Sequence, residues 1–368
     1  MIVNLKSETD LSGFYIVFNG SSNLEKRGIY GISHLMEHLI CKNFESLRDD
    51  FEREGIDWNA YTSQNEIVFY FTGLDKYLSR RRSQLVDLIC DFKTTKSQFE
   101  NERKIVLQEY TNDFTDQTNS HFLNLERKIL NNYNAIGLRQ DLESLTYMDC
   151  IKFFEEQFNV PTKIINVSKD SPFNFDIDFF SPKSERKFEL STYKDVFLEK
   201  THNYGDKCSL ILLSKISEND FNYISFLNNM LSLGLSSPFL SEIREKKGLI
   251  YGIQCKQHRL NKQGITTITT QTSSKNVDEV VESINYIFSN PNKFLTKKRF
   301  DIIRNSFNIN YQKEKISRYA NVNLWINPPG WSIKEILNTM TYDKVMDIFD
   351  QHYKFEDFYI SNDRTEFT

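Results

Sequence analysis

The segment Gly31-Ile-Ser-His34-Leu-Met-Glu37-His38-Leu-Ile40 sets two imidazoles four residues apart, with a carboxylate just before the second. Its apolar residues recur at helical spacing. On a helix, positions i and i+4 are about 40° apart, so both imidazoles point the same way. Two imidazoles on one face supply half of a tetrahedral zinc site. Glu37 is then close enough to meet a water on the metal without itself ligating it. Six His occur in 368 residues, so a chance match is uncommon, on the order of one chain in a hundred. The competing reading is a core helix with two partly exposed histidines.

A third ligand must come from another element. The segment Ser97-Gln-Phe-Glu100-Asn-Glu102-Arg-Lys-Ile105-Val106-Leu-Gln-Glu109-Tyr110 offers carboxylates. Ser97 and Glu100 read as a capping box, which starts a helix there. Glu102 and Glu109 are two turns apart on nearly one face, with Ile105 and Val106 between them on the side expected to be buried. Carboxylates flanking an apolar stripe turn inward at a cost that a metal would offset. Taken alone, this segment reads as a charged helix with two solvated glutamates.

Together these segments resemble the pitrilysin, insulinase and mitochondrial-processing-peptidase family of zinc metallopeptidases. Its members carry His-x-x-Glu-His, the reverse of His-Glu-x-x-His, then a ligand Glu some seventy-odd residues on. The resemblance implies one zinc per chain bound by His34, His38 and Glu109, with Glu37 as general base and Glu102 supporting the ligands. Two further stretches match. Asn59-Ala60-Tyr61-Thr62-Ser63 resembles the family's substrate-binding edge strand, and Ser241-Glu-Ile-Arg244-Glu-Lys-Lys-Gly248-Leu-Ile-Tyr251 resembles its second-domain signature. There Arg244 and Tyr251 would contact the substrate carbonyl. By itself, Arg244 reads as an ordinary surface Arg at a charged helix end, closed by Gly248, with Tyr251 opening a strand. The family's frequent Gly-Thr after the motif is absent, since Cys41-Lys-Asn-Phe44-Glu-Ser stands there.

Around these residues the pattern predicts an α+β protein of two homologous α/β-roll domains, each an antiparallel-rich sheet covered by helices on one side. The first half reads as a strand at 13–18, the motif helix at 32–42, a short helix at 45–54, and strands at 56–60 and 67–72. A helix at 74–92 follows, then the ligand helix from Ser97 toward Phe114. Helical pattern continues to about Leu130, with a helix at 146–157 and a strand at 163–167. The second half repeats the order, with strands at 209–213, 250–256, 264–271 and 357–360. Its helices fall at 218–233, 237–247, 277–289, 297–315 and 342–352. The expected division is a zinc-binding domain at 1–168, a linker at 169–192 marked by Pro172 and Pro182, and a second domain at 193–368. The first half alone carries His-x-x-Glu-His and the second alone carries Arg244 and Tyr251, so the halves divide the labour.

A net charge of −4, with 39% hydrophobic and 26% charged residues, is that of a soluble globular protein. It gives no reason to expect nucleic acid or an anionic membrane as partner. Five scattered cysteines without a Cys-x-x-Cys pair read as reduced thiols in the cytoplasm. No apolar run approaches the roughly 18 residues of a membrane span. Cys41, on the face of the motif, reads as a buried thiol, and His121, His202, His258 and His352 as ordinary histidines. Trp325–Trp331 reads as an aromatic-packed turn and Arg80-Arg-Arg82 as a solvated helix face.

The expected activity is zinc-dependent endopeptidase action on extended oligopeptides or unfolded segments. The resemblance adds a homodimer with composite sites, each taking zinc ligands from one subunit and Arg244 with Tyr251 from the other. The alternatives are a non-catalytic scaffold homologue, or one subunit of a heterodimeric processing peptidase.

Overall fold

The computed structural model describes residues 1–7, 9–130, 133–177, 179, 205–260, 263–316 and 333–363. The chain forms two compact units, Met1–Asn112 with Tyr133–Lys187, and Asp113–Asn132 with Phe188–Thr368. Both mix helices with a largely antiparallel sheet, and the fold is α+β.

In the first unit the strands are β1 (Ile2–Lys6), β2 (Leu11–Asn19), β3 (Asp57–Thr62), β4 (Glu66–Leu74) and β5 (Lys163–Ser168), in the order β1-β5-β2-β4-β3. β1 and β5 pair in parallel and the other neighbours antiparallel. β2 and β5 lie inside the sheet and almost every residue on them is buried, β2 through the apolar run Phe14–Phe18 and β5 with Lys163, Asn166 and Ser168 buried as well as its apolar residues. β3 lies at the edge. Its residues alternate exposed and half-buried, as one face packs and the other meets water.

Helix α1 (Ile32–Cys41) buries Ile32, Leu35, Met36, Leu39 and Ile40, the i, i+3, i+4 stripe of an amphipathic helix. Its entry is tightly specified. The buried Glu25 carboxylate accepts from the N–H groups of Gly31 and Ser33, each at 2.8 Å, where the free amides of a helix start attract an anion. Gly31 sits at φ +99. A Cβ on Gly137 (φ +71) would fall 2.3 Å from the Gly31 nitrogen, so the backbones meet where no side chain fits.

Next come α2 (Arg48–Glu54), α3 (Asp75–Cys90) and α4 (Lys96–Thr115). The α4 cap lies two residues before the expected Ser97, at Thr95. Thr95 and Gln98 cap it, the Gln98 N–H donating to Thr95 Oγ1 and the Thr95 N–H to Gln98 Oε1. Phe99, Glu102, Val106 and Tyr110 are buried, whereas Ile105 is 43% exposed and not inward as its apolar character suggested. The rotation from Val106 turns it outward. Arg82 on α3 is also not solvated. It is 2% exposed and binds Asp75 Oδ1 at 2.6 Å, Ser12 Oγ at 2.8 Å and the Ser171 carbonyl at 2.7 Å. Three acceptors on its two terminal nitrogens, one of them the Asp75 carboxylate, offset the cost of its burial. α6 (Arg139–Ser144) and α7 (Tyr147–Phe153) complete the unit.

α5 (Gln117–Leu130) groups with the second unit, although its helical pattern runs on from α4 in sequence. The second sheet has β6 (Lys207–Ile216), β7 (Ile253–Leu260), β8 (Gln263–Ser273) and β9 (Tyr359–Asn362) in the order β7-β8-β6-β9, all antiparallel. Alternate residues of β6 serve two cores. Leu210 and Leu212 pack with α8 (Phe221–Ser232), α9 (Val277–Phe288), α10 (Lys297–Ile316) and Tyr342–His352. Ile211 and Leu213 pack against Leu125, Ile129 and Leu130 of α5 on the other face. His121 anchors α5, its ring nitrogens 3.0 Å from Ser209 Oγ and 2.7 Å from Ser361 Oγ. β7 begins at Ile253 and not at Ile250, so Tyr251 precedes the strand. His202, the stretch Trp325–Trp331 and most of the expected linker lie outside the described residues.

Candidate metal centre

α1 carries His34 and His38 toward α4, which carries Glu102 and Glu109. Glu109 Oε2 lies 3.5 Å from His34 Nε2 and 3.5 Å from His38 Nε2. The two rings stand nearly perpendicular, with centroids 4.9 Å apart. Among the described residues, His34, His38 and Glu109 form the one cluster with a metal-compatible ligand set.

The donor set fits zinc. Metal–ligand bonds of about 2.0–2.1 Å in a tetrahedron give ligand–ligand edges of about 3.3–3.4 Å, close to the separations seen. Two nitrogens and one carboxylate oxygen are zinc donors and leave a fourth position open. Burial of His34, then the neighbouring His38, lowers its pKa to about 4, so its imidazole is neutral and can give a lone pair at neutral pH. The His34 and His38 side chains are 16% and 17% exposed and Glu109 44%, so the cluster opens on the Glu109 side.

Support comes from behind. His38 Nδ1 is 3.2 Å from Glu102 Oε2, and Glu102 Oε1 is 3.0 Å from Lys42 Nζ. With Nδ1–H given to Glu102, the tautomer leaves His38 Nε2 available for a metal. Lys42 was not foreseen, although it lies four residues after His38 and so one turn along the same face.

Glu37 is 9% exposed. Burial raises its pKa, while a hydrogen bond from Thr62 and the nearby His38 act to lower it. The Thr62 hydroxyl donates to Glu37 Oε2. Thr62 ends β3, so the edge strand is tied directly to the carboxylate next to the candidate metal ligands. Asn59, Ala60, Tyr61 and Thr62 all lie on β3 and Ser63 follows it. The pairing of β3 with β4 leaves its other edge without a strand partner among the described residues. Cys41 is a partly buried thiol whose pKa is pushed up by burial and by Glu37 and Glu102.

In the second unit, Arg244 lies on the π-helical turn Leu240–Lys246. Gly248, at φ +65, follows it. The Arg244 guanidinium sits 4.9 Å from the centre of the Tyr251 ring, and its Nε is 3.4 Å from Glu245 Oε1. Tyr251 is 86% exposed. Both residues line a cavity of about 700 Å³.

Two family models match this chain. Residues 1–137 match that described as insulinase (peptidase family M16), and residues 182–307 that described as the peptidase M16 inactive domain. An uncharacterized zinc protease of Rickettsia felis is 22% identical over 365 residues, covering 86% of this chain and 83% of the relative. The mitochondrial-processing peptidase subunit beta of Homo sapiens is 23% identical over 156 residues, 40% of this chain and 32% of that protein. Among solved structures, a protease from Helicobacter pylori aligns with a TM-score of 0.79 at 14% identity, covering 98% of this chain and 96% of that one.

Proposed function

Because this chain belongs to the insulinase family of peptidases, M16, we propose that it is a zinc-dependent endopeptidase acting on extended oligopeptides or unfolded segments. The observation that carries this reading is the convergence of His34, His38 and Glu109 on one point, with the Glu37 carboxylate on the same helix. His34, His38 and Glu109 would hold one zinc. When bound, zinc supplies Lewis acidity, acidifying water and polarising a carbonyl oxygen.

The chain's own groups do the rest. Glu37 accepts the proton of the attacking water and returns it to the leaving amine, a transfer that contributes typically about 10²–10⁴-fold. Thr62 holds that carboxylate in place. The free edge of β3 at Asn59–Ser63 offers N–H and C=O groups to an extended substrate, which adds as a further strand. A helical or folded segment has its own groups already paired and cannot. Arg244 and Tyr251 donate to the carbonyl oxygen as charge develops on it. In this reading they come from the partner subunit of a homodimer with two composite sites. The relative named as subunit beta of a processing peptidase motivates the alternative of a different partner chain. A cytoplasmic setting accords with five free thiols. No helix among the described residues is long and apolar enough to cross a membrane.

Elemental analysis beside a quenched-fluorescence assay with mixed peptides, in wild type and Glu37→Gln, tests the reading. One zinc per chain in both, with hydrolysis lost in the variant, is expected. A protein without zinc, or a variant as active as wild type, would overturn it.

A further inference from the structure

The cavity beside Arg244 and Tyr251 has a floor that the peptidase reading does not use. Gln254, Lys256 and His258 alternate along β7 and so face the same way. In register, Gln254 opposes Thr269 and Lys256 opposes Thr267 on β8, and all five residues line the cavity. The opposite face of these strands carries Ile253 and Ile268 into the helical core. The start of α5 forms a further wall through Asp116, Thr118, Asn119 and Phe122. The Phe122 ring lies against His258, with centroids 4.9 Å apart.

The charges of this cavity are unbalanced. Among the described residues that line it, Lys256 and Arg244 are the cations and Asp116 the one carboxylate. Asp116 is already engaged, its Oδ1 accepting the Asn119 N–H at 2.7 Å at the start of α5. Arg244 has Glu245 alongside at 3.4 Å. Lys256 is exposed and has no ion-pair partner among the described residues. Its neighbours on the floor are Thr267 and Thr269 hydroxyls and the Gln254 amide, which can donate to an oxygen as well.

We infer that this cavity is a subsite for an acidic side chain of the peptide substrate, with Lys256 as its specificity-determining cation. The inference rests on the peptidase reading and names the substrate class for it, peptides with Asp or Glu flanking the bond that is cut. Lys256 offers a compact, rotatable ammonium at the end of a flexible stem, and a carboxylate received among the threonine hydroxyls would complete its pairing. A lysine or arginine at the same peptide position would meet Lys256 and Arg244 and be rejected.

The test uses full-length Glu37→Gln protein loaded with zinc, so that peptides bind without being cut. The probes are three fluorescein-labelled, unstructured peptides of equal length that differ only in carrying Glu, Gln or Lys, followed by anisotropy. The expected order is Glu, then Gln, then Lys, with about tenfold between the first and last for one charge contact. Adding Lys256→Glu should invert that order, and Lys256→Gln should flatten it. Lys256 is exposed, and an unchanged circular dichroism melt shows that each variant folds. An order that persists in Lys256→Glu overturns the assignment. Equal binding of all three peptides overturns it too, while leaving the peptidase reading intact. No binding of any peptide overturns both.

Discussion

Oε2 of Glu102 lies 3.2 Å from Nδ1 of His38, while Nε2 of the same ring faces Glu109 at 3.5 Å. The imidazole is held between two carboxylates of one helix, one behind it and one across the candidate metal position. Removing the rear charge keeps the ligands but loosens the ring. Glu102→Gln should weaken zinc about 10–100-fold, read by competition with a chromogenic chelator. Unchanged affinity would show that Glu102 only neutralises Lys42.

Thr62 couples the edge strand to Glu37. Thr62→Val keeps the volume and removes the donor. A hydrogen bond to a charged group is worth roughly 1.5–3 kcal/mol, so kcat should fall about 10–100-fold while zinc content stays at the wild-type level. Steady-state kinetics with metal analysis separates this from simple loss of the ion. A fall in zinc along with kcat would mean that Thr62 supports the fold of the site and not the carboxylate.

Arg244 and Tyr251 stack on each other at the cavity mouth, and neither is needed to hold metal. Tyr251→Phe should lower kcat/KM by about 10²-fold, the effect of one lost donor to a developing oxyanion, with zinc unaltered. If the composite homodimer is correct, mixing Tyr251→Phe with Glu37→Gln protein restores one competent site per mixed dimer. Activity that never returns on mixing would argue that each chain works with its own pair.

His258 gives a prediction for stability. Burial, then the nearby Lys256, lowers its pKa from 6.5 to about 4. Thr267 Oγ1 at 3.3 Å and the Phe122 ring complete its surroundings. Above pH 6.5 neither the native nor the unfolded chain protonates it. Between 6.5 and 4 the unfolded chain does and the native chain does not, so stability falls by up to about 1.4 kcal/mol per pH unit. Below 4 the loss levels off. His258→Gln should remove this slope from urea midpoints measured across that range.

The histidine half of the candidate metal centre stands out in the sequence because its residues obey short-range geometry, whereas Glu102 and Glu109 enter through the family resemblance. His34, Glu37 and His38 share one helix, and the spacing of Glu102 and Glu109 follows from two turns of another. What joins the helices is long-range and left no local signal. Glu25, which clamps the start of α1, looks like an ordinary polar residue in the sequence, and Thr62, read there only as part of a substrate-binding strand, gives no sign that it reaches Glu37. Strand and helix positions were largely readable from periodicity, including β2, β4, α9 and α10. Three features were not. β1 is short and gains its place from parallel pairing with the distant β5. Arg82 reads as charged surface because its partners Ser12 and Ser171 lie far away in the chain. α5 reads as more of α4, because an apolar stripe says that a helix is buried but not against which sheet.

The contact of Gly31 with Gly137 has a consequence for which substitutions this protein tolerates. The helix that presents both imidazoles begins where two glycines from distant parts of the chain press together with no room for a side chain. A substitution that damages the candidate metal centre therefore need not fall in the motif. Any replacement at Gly137 places a carbon against the Gly31 backbone and shifts the start of α1. A change in either glycine would lie outside the His-x-x-Glu-His motif or at its edge and still displace the start of the helix that presents both imidazoles.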